Sequence, residues 1–340
     1  MTQIQKPRIG ITLGDYNGVG PEVVIKALAD NRLLNLVTPV LYGSGKVISF
    51  YKKLLNVDEF NFSQVRNKGQ FAPKSINVVN SWGDDAGEII PGKASKESGK
   101  ASFIALKQAS EELKEGIIDA LVTAPIDKHT IHSDEFPFKG HTEFLTQFFE
   151  ASESLMFMIS EKLRVGLVTE HIPVKDIAAA ITKEKIEAKL KVMDASLRKD
   201  FGIIKPKIAV LGLNPHAGDN GLLGLEEEQI IRPLISDQKN KGRLVFGPFP
   251  ADGFFAAGTY LKYDGVLAMY HDQGLVPFKS VAFEDGVNFT AGLPVVRTSP
   301  DHGTGYAIAG KNQAHEGSMR EAIYKAAEIF KHRNEPSKEK

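Results

Sequence analysis

Three histidines stand where a sheet enzyme keeps its reactive groups. His171 directly follows the apolar run LRVGLVTE, His216 follows KIAVLGLNP, and His271 follows DGVLAMY. Each run predicts a buried strand, and in open parallel α/β sheets ligands gather beyond the carboxyl ends of the strands. Neutral imidazole ligates zinc and several other transition metals, and three imidazoles with an open fourth position make a catalytic centre. The spacing is long and contains no HExxH pattern, so three hydrogen-bonded loop histidines are the plainer alternative. Asp15, Thr123 and Arg297 hold comparable strand-end positions.

Other polar groups suggest anion chemistry. His141 and Thr142 open the segment HTEFLTQFF, and a helix start with imidazole and hydroxyl donors suits an anion. Thr142 by itself reads as an N-cap. Lys279, Asn288 and Arg297 fall within KSVAFEDGVNFTAGLPVVRTS. Their ammonium, amide and guanidinium either converge on a phosphate or stay scattered and solvated. Asp272 adjoins His271, and Asp252 lies in GPFPADGFFA. Carboxylates beside histidine ligands orient them, although capping the following helix is equally open to Asp272.

Two glycine-rich segments, GDYNGVGPE at 14–22 and PDHGTGYAIAGK at 300–311, predict loops that run into helices. Neither follows a GxGxxG pattern, and GSGK at 43–46 lacks the upstream glycine and the Ser/Thr of a P-loop, so no standard dinucleotide or nucleotide motif is present.

The elements that must position these groups alternate along the chain. Strands are predicted at 8–14, 39–43, 75–80, 119–124, 163–170, 207–214, 264–270 and 294–299. Helices are predicted over 20–30, over 102–116 with Gly116 as its stop, and after Thr182, which caps Ile186, Leu190, Met193 and Leu197 at helical spacing. Strand–helix alternation means crossover connections and a mainly parallel sheet covered on both faces. Residues 56–98 are the least regular stretch.

The 340 residues, 42% hydrophobic and 25% charged, suit a globular protein with a large core. Lys and Arg balance Asp and Glu at 42 each, which argues against a nucleic-acid surface. The absence of cysteine excludes disulfides and thiolate ligands. No signal peptide or spanning segment is read, so a cytoplasmic protein with no membrane partner is expected.

Taken together, GITLGDYNGVGPEV, VTAPIDK, KGHTEFL, LGLNPHAGDNG, PADGFF, YHDQGLVPFK and VNFTAGLPVVRTSPDHGTGYAIAGK give a chain that resembles the 4-hydroxythreonine-4-phosphate dehydrogenase (PdxA) family over nearly its whole length. The resemblance implies a three-layer αβα fold like that of the isocitrate and isopropylmalate dehydrogenases, with two subdomains and an interdomain cleft. On that reading residues 1–130 plus 280–340 form the cofactor-side subdomain, and residues 131–279 the metal and dimer side. The implied metal ligands are His171, His216 and His271, one of them contributed by the other subunit of a homodimer with a shared active site. Zinc, magnesium or cobalt would occupy the site, one divalent ion per subunit. His141, Thr142, Lys279, Asn288 and Arg297 match the family's substrate-binding positions, and Asp252 and Asp272 match its supporting or acid–base carboxylates.

NAD or NADP is the implied cofactor. His302, Gly303, Thr304 and Gly305 look like the counterpart of the HGSAPD loop of the related dehydrogenases, with Ala307 near the place of the ribose-binding acid. The implied reaction oxidises 4-phosphooxy-L-threonine to 2-amino-3-oxo-4-phosphooxybutanoate, which loses carbon dioxide to give 3-amino-2-oxopropyl phosphate, a step of vitamin B6 biosynthesis. Related proteins that oxidise 4-phosphoerythronate or 4-phosphothreonate would use the same groups, and a non-catalytic metabolite sensor is a further alternative.

Overall fold

The computed structural model describes residues 6–30, 32–83 and 87–334. Among them run twelve strands: β1 (Arg8–Thr12), β2 (Thr38–Gly43), β3 (Phe62–Gln64), β4 (Ile76–Asn80), β5 (Ala120–Thr123), β6 (Leu155–Ile159), β7 (Arg164–Leu167), β8 (Lys207–Leu211), β9 (Leu244–Phe249), β10 (Gly265–Ala268), β11 (Val287–Ala291) and β12 (Arg297–Pro300). The chain divides into two compact units, the described residues of Met1–Ala151 with Leu293–Lys340, and Ser152–Gly292.

In the first unit the strand order is β3-β4-β2-β1-β5-β12, and every pairing is parallel. Val40, Leu41 and Tyr42 are all fully buried although successive side chains point to opposite faces, so both faces of β2 are covered. Helix Lys96–Lys114 packs on β1, β2 and β5, and helix Gly317–Asn334 on β12 and β5. Ser95 starts the former by accepting from Ser98 N, one of the orphan amides of a helix start.

The second unit has the order β11-β6-β7-β10-β8-β9. Here β6 lies antiparallel to both β11 and β7, while β7, β10, β8 and β9 run parallel. Val165, Leu167, Val266, Ala268, Ala209 and Leu211 form one core with Leu275 and Phe278 of helix His271–Val281. Gly166 faces helix Lys183–Lys199, where a Cβ would come within 2.5 Å of Met193 Cε. Thr182 caps that helix by accepting from Lys185 N, as its sequence predicts.

The seams between the units fall at 151/152 and 292/293, rather than at the predicted 130/131 and 279/280. The reason is packing. Phe144, Leu145 and Phe149 join Phe103 and Phe136 in the first unit's core, and β11 pairs with β6 in the second unit. No helix among the described residues is long and apolar enough to cross a membrane.

Candidate functional site

In the first unit β5 and β12 lie side by side, with Arg297 opposite Leu121 and Thr298 opposite Val122. That register brings Thr123, at the end of β5, onto Arg297. The Thr123 hydroxyl accepts from Arg297 Nη2 at 2.6 Å and Nε at 3.1 Å. Arg297 is 2% exposed, and burial pulls its guanidinium down to about 9. A cation held in so dry a place at a strand end is poised for an anion.

His141 begins the helix His141–Phe148. Burial first, then the charges of Arg297 and Lys128, hold its imidazole well below the usual value of 6.5. It is therefore neutral at neutral pH, and its buried Nε2 has no hydrogen-bond partner among the described residues. Thr142 is not the N-cap: Gly140 holds that position without a side-chain bond, and Thr142 lies inside the first turn. Glu143 instead reaches back to accept from Lys139 N at 2.8 Å.

The two glycine-rich loops meet in this same unit. Thr304 O accepts from Val19 N at 2.8 Å, and a Cβ on Gly18 would come within 2.8 Å of that carbonyl. Asp15, fully buried, is the hub. Its Oδ2 accepts from Ser98 at 2.9 Å and Tyr306 at 2.8 Å, and its Oδ1 accepts from Asn17 N at 2.9 Å. Burial pushes the Asp15 carboxyl up, against the pull of those hydrogen bonds. The predicted course of the second loop is corrected here. His302, Gly303, Thr304 and Gly305 lead into consecutive turns, and the next helix starts only at Gly317, so no helix N-terminus follows the loop directly. The turns are tied down instead, because Glu22 accepts from Gly310 N and Ala314 N, both at 3.1 Å. At Gly303 an added Cβ would meet nothing, so the backbone there is open to a ligand.

In the second unit the ends of β7 and β10 continue in step. Val168 N donates to Ala268 O and Thr169 N to Met269 O, so His171 and His271 leave from adjacent strand ends. Their ring centroids lie 5.6 Å apart. Two imidazoles sharing one tetrahedral ion, each with its centroid about 3 Å from the metal, have centroids roughly 5 Å apart. His271 Nδ1 pairs with Asp272 Oδ1 at 2.7 Å, which fixes the tautomer and turns Nε2 toward a ligand. Asp272 thus serves the imidazole and not the helix end, whose N-cap is Tyr270. The two imidazoles, with Asp272 behind one of them, are a partial ligand set.

The third candidate stands elsewhere. His216 lies in a run, His216–Gly221, in which every φ is positive. Each non-glycine residue so held costs about 1–2 kcal/mol. Among the described residues no group of three or more His, Asp or Glu side chains is gathered for a metal. The chain thus brings together two of the three predicted ligands. Lys279 ends helix His271–Val281, Asn288 sits on β11 with its buried Oδ1 lacking a partner among the described residues, and Asp252 is exposed in the first turn of helix Ala251–Ala256.

Sequence reasoning passed over Glu227 and Tyr306. Glu227 sits in the run EEEQ, which reads as a solvated helix face. Tyr306 meets Asp15 across 291 positions, a contact that no local pattern announces.

The chain is similar to several known proteins. A protein of Bacteroides thetaiotaomicron called 4-hydroxythreonine-4-phosphate dehydrogenase is 53% identical over 96% of this chain and 90% of its own. A protein of Oceanobacillus iheyensis called putative D-threonate 4-phosphate dehydrogenase is 39% identical over 96% of this chain and 98% of its own. The crystal structure of 4-hydroxythreonine-4-phosphate dehydrogenase from Klebsiella pneumoniae superposes with a TM-score of 0.82 at 35% identity, covering 97% of this chain and 99% of that one. The sequence model of the family described as pyridoxal phosphate biosynthetic protein PdxA matches residues 35–326, and the chain belongs to that family.

Proposed function

We propose that the protein is a metal-dependent, NAD(P)-linked dehydrogenase that oxidises 4-hydroxythreonine 4-phosphate in pyridoxal phosphate biosynthesis. The observation that carries this reading is the 53% identity, over 96% of the chain, to a relative bearing that activity's name. The buried Arg297 and the paired His171 and His271 support it chemically.

Arg297, held by Thr123, gives the substrate phosphate a desolvated cation. His141, kept neutral, donates or accepts at Nε2 without adding charge, and Thr142 adds a hydroxyl. In the second unit Lys279 and Asn288 add an ammonium and an amide to substrate binding. His171, His216 and His271 would hold the divalent metal, one of them supplied by the other subunit of a homodimer. Asp272 keeps the His271 Nε2 lone pair free by holding the proton on Nδ1. When bound, zinc, magnesium or cobalt would lower the pKa of the substrate hydroxyl and polarise the resulting carbonyl. NAD or NADP, bound along His302, Gly303, Thr304 and Gly305 with the backbone open at Gly303, would supply the hydride acceptor. Oxidation of the secondary alcohol yields a β-keto acid, whose loss of carbon dioxide gives 3-amino-2-oxopropyl phosphate. Asp252 and Asp272 are the carboxylates available for supporting or acid–base roles.

A second reading rests on the 39% identical relative called putative D-threonate 4-phosphate dehydrogenase. NADH formation decides between them, using purified protein, a divalent metal and, in turn, 4-phosphooxy-L-threonine, 4-phosphothreonate and 4-phosphoerythronate. Chelator-sensitive turnover of the amino acid alone is the expected result. Preference for either sugar acid moves the protein to sugar-acid breakdown, and no turnover of any overturns the dehydrogenase reading.

A further inference from the structure

Six consecutive residues from His216 to Gly221 have positive φ, and four of them, His216, Ala217, Asp219 and Asn220, are not glycine. Such a run has no local cause, because the left-handed region is unfavourable for each L-residue that bears a Cβ. It persists only where the surroundings over-determine it. The surroundings here are one buried carboxylate and one amide.

Glu227 is fully buried. Its Oε1 accepts from Leu213 N and Asn214 N, both at 2.7 Å, and its Oε2 accepts from Asn214 Nδ2 at 2.9 Å. The carboxylate occupies the space that side chains at 212 and 218 would fill: a Cβ on Gly212 would lie 3.1 Å from Oε1, and one on Gly218 2.6 Å from Oε2. It starts a single π-turn, Glu227–Ile231, an irregularity found often at functional sites. From the other side Gln273 Nε2 donates to Gly212 O at 2.6 Å, while its Oε1 accepts from Met269 N at 2.7 Å. Gln273 lies two residues beyond His271 on the same helix. The segment that leads to His216 is therefore gripped on its amides by Glu227 and on a carbonyl by the helix that carries another candidate ligand.

We propose that Glu227 is a positioning residue for the metal centre, acting through the backbone of Leu213–Asn214 to hold His216 in its left-handed presentation, with Gln273 fixing that segment against the His271 helix. This rests on the reading of His216 as a metal ligand. A carboxylate buried only to complete a fold would lower thermal stability when changed and leave the metal's surroundings alone. A clamp changes both the affinity and the geometry of the site, as partners behind first ligands do.

The experiment uses the full chain, stripped of metal and titrated with cobalt(II), whose visible absorption reports ligand geometry. The variants are Glu227→Gln, Gln273→Leu and His216→Ala, with Glu228→Gln as a control because Glu228 is a half-exposed partner of Arg232. Glu227→Gln keeps the size of the side chain but sets an amide NH2 against the Asn214 amide. We expect it to weaken cobalt binding about 10–100-fold, to alter the absorption band, and to speed hydrogen exchange over residues 213–220 in the metal-free protein, with far-UV dichroism unchanged. Gln273→Leu should move the same readouts in the same direction, and it decides the matter should Glu227→Gln not fold. Cobalt affinity within about twofold of the parent, with unchanged absorption and exchange, overturns the clamp. His216→Ala separates the two ideas: if it binds cobalt like the parent, the ligand assignment falls, and if it is defective while the clamp variants are normal, only the clamp falls.

Discussion

Replacing Arg297 by methionine separates what this residue costs the fold from what it contributes to binding. Burial takes the guanidinium from its usual value, more than three pH units higher, down to about 9. At ~1.4 kcal/mol per pH unit, that gap means the charge is held at a cost on the order of 5 kcal/mol. The sign follows from the direction. Below about 9 the group is charged in both folded and unfolded chains, so the cost is fully present at neutral pH and is relieved as pH rises from about 9 toward the value of an unfolded arginine. Methionine matches the apolar volume of the side chain but gives up polar contacts that include the two bonds to Thr123, at about 1 kcal/mol each. The net expectation for Arg297→Met is roughly 2–3 kcal/mol of added stability in the ligand-free protein, or about 5 °C in Tm. Calorimetry at pH 7 measures this directly, and the advantage should shrink above pH 9. Inorganic phosphate should raise the Tm of the parent and not that of the variant, and KM for the phosphorylated substrate should rise about a hundredfold or more. A variant less stable than the parent, yet equally stabilised by phosphate, would refute the idea of a desolvated cation reserved for an anion.

Three further outcomes follow from neighbouring groups. His141 is held below 6.5, so the unfolded chain takes up a proton that the folded one refuses; stability should fall as pH drops below about 6.5, at up to ~1.4 kcal/mol per pH unit, and His141→Gln should flatten that slope in acid denaturation curves. Asp272→Ala removes the acceptor of His271 Nδ1 and should weaken zinc binding about 10–100-fold by calorimetry, whereas unchanged affinity would rule out an orienting role. Gly99→Ala would drive a Cβ into the backbone carbonyl of Thr130 beside the Asp15–Ser98 contact, so urea titration should show about 3 kcal/mol or more of lost stability.

Which of these groups could be read from the sequence depended on whether their cause was local. The runs at β1, β2, β5, β7, β8 and β10 are short, apolar and followed by polar residues, and a parallel sheet buried on both faces requires that pattern. The strand-end rule fits His171, His271 and Thr123, which lie at or beyond the carboxyl ends of β7, β10 and β5; Arg297 instead opens β12 and reaches Thr123 because that strand starts opposite Leu121 of β5. Strands β6, β9 and β11 escaped for physical reasons. The first runs antiparallel to both of its neighbours and turns tightly into β7, β9 carries a Gly-Pro pair, and β11 lies between turn residues. The pairing of β11 with β6 is also what moved the seam between the units.

The left-handed path around His216 shows a different limit. NPHAGDNG contains two glycines and three Asx residues, enough to predict a turn. Nothing in those letters says that Ala217 must also adopt positive φ. We trace that instruction to Glu227, ten residues on, whose carboxylate holds the amides of Leu213 and Asn214 just before the run and fills the space beside Gly218 within it. A ligand's identity is written at its own position, but its aim is written in the buried partner that pays for the strain. Exchanging Glu228, which faces solvent beside Arg232, should therefore leave the site untouched, while a one-atom change at Glu227 should disturb it.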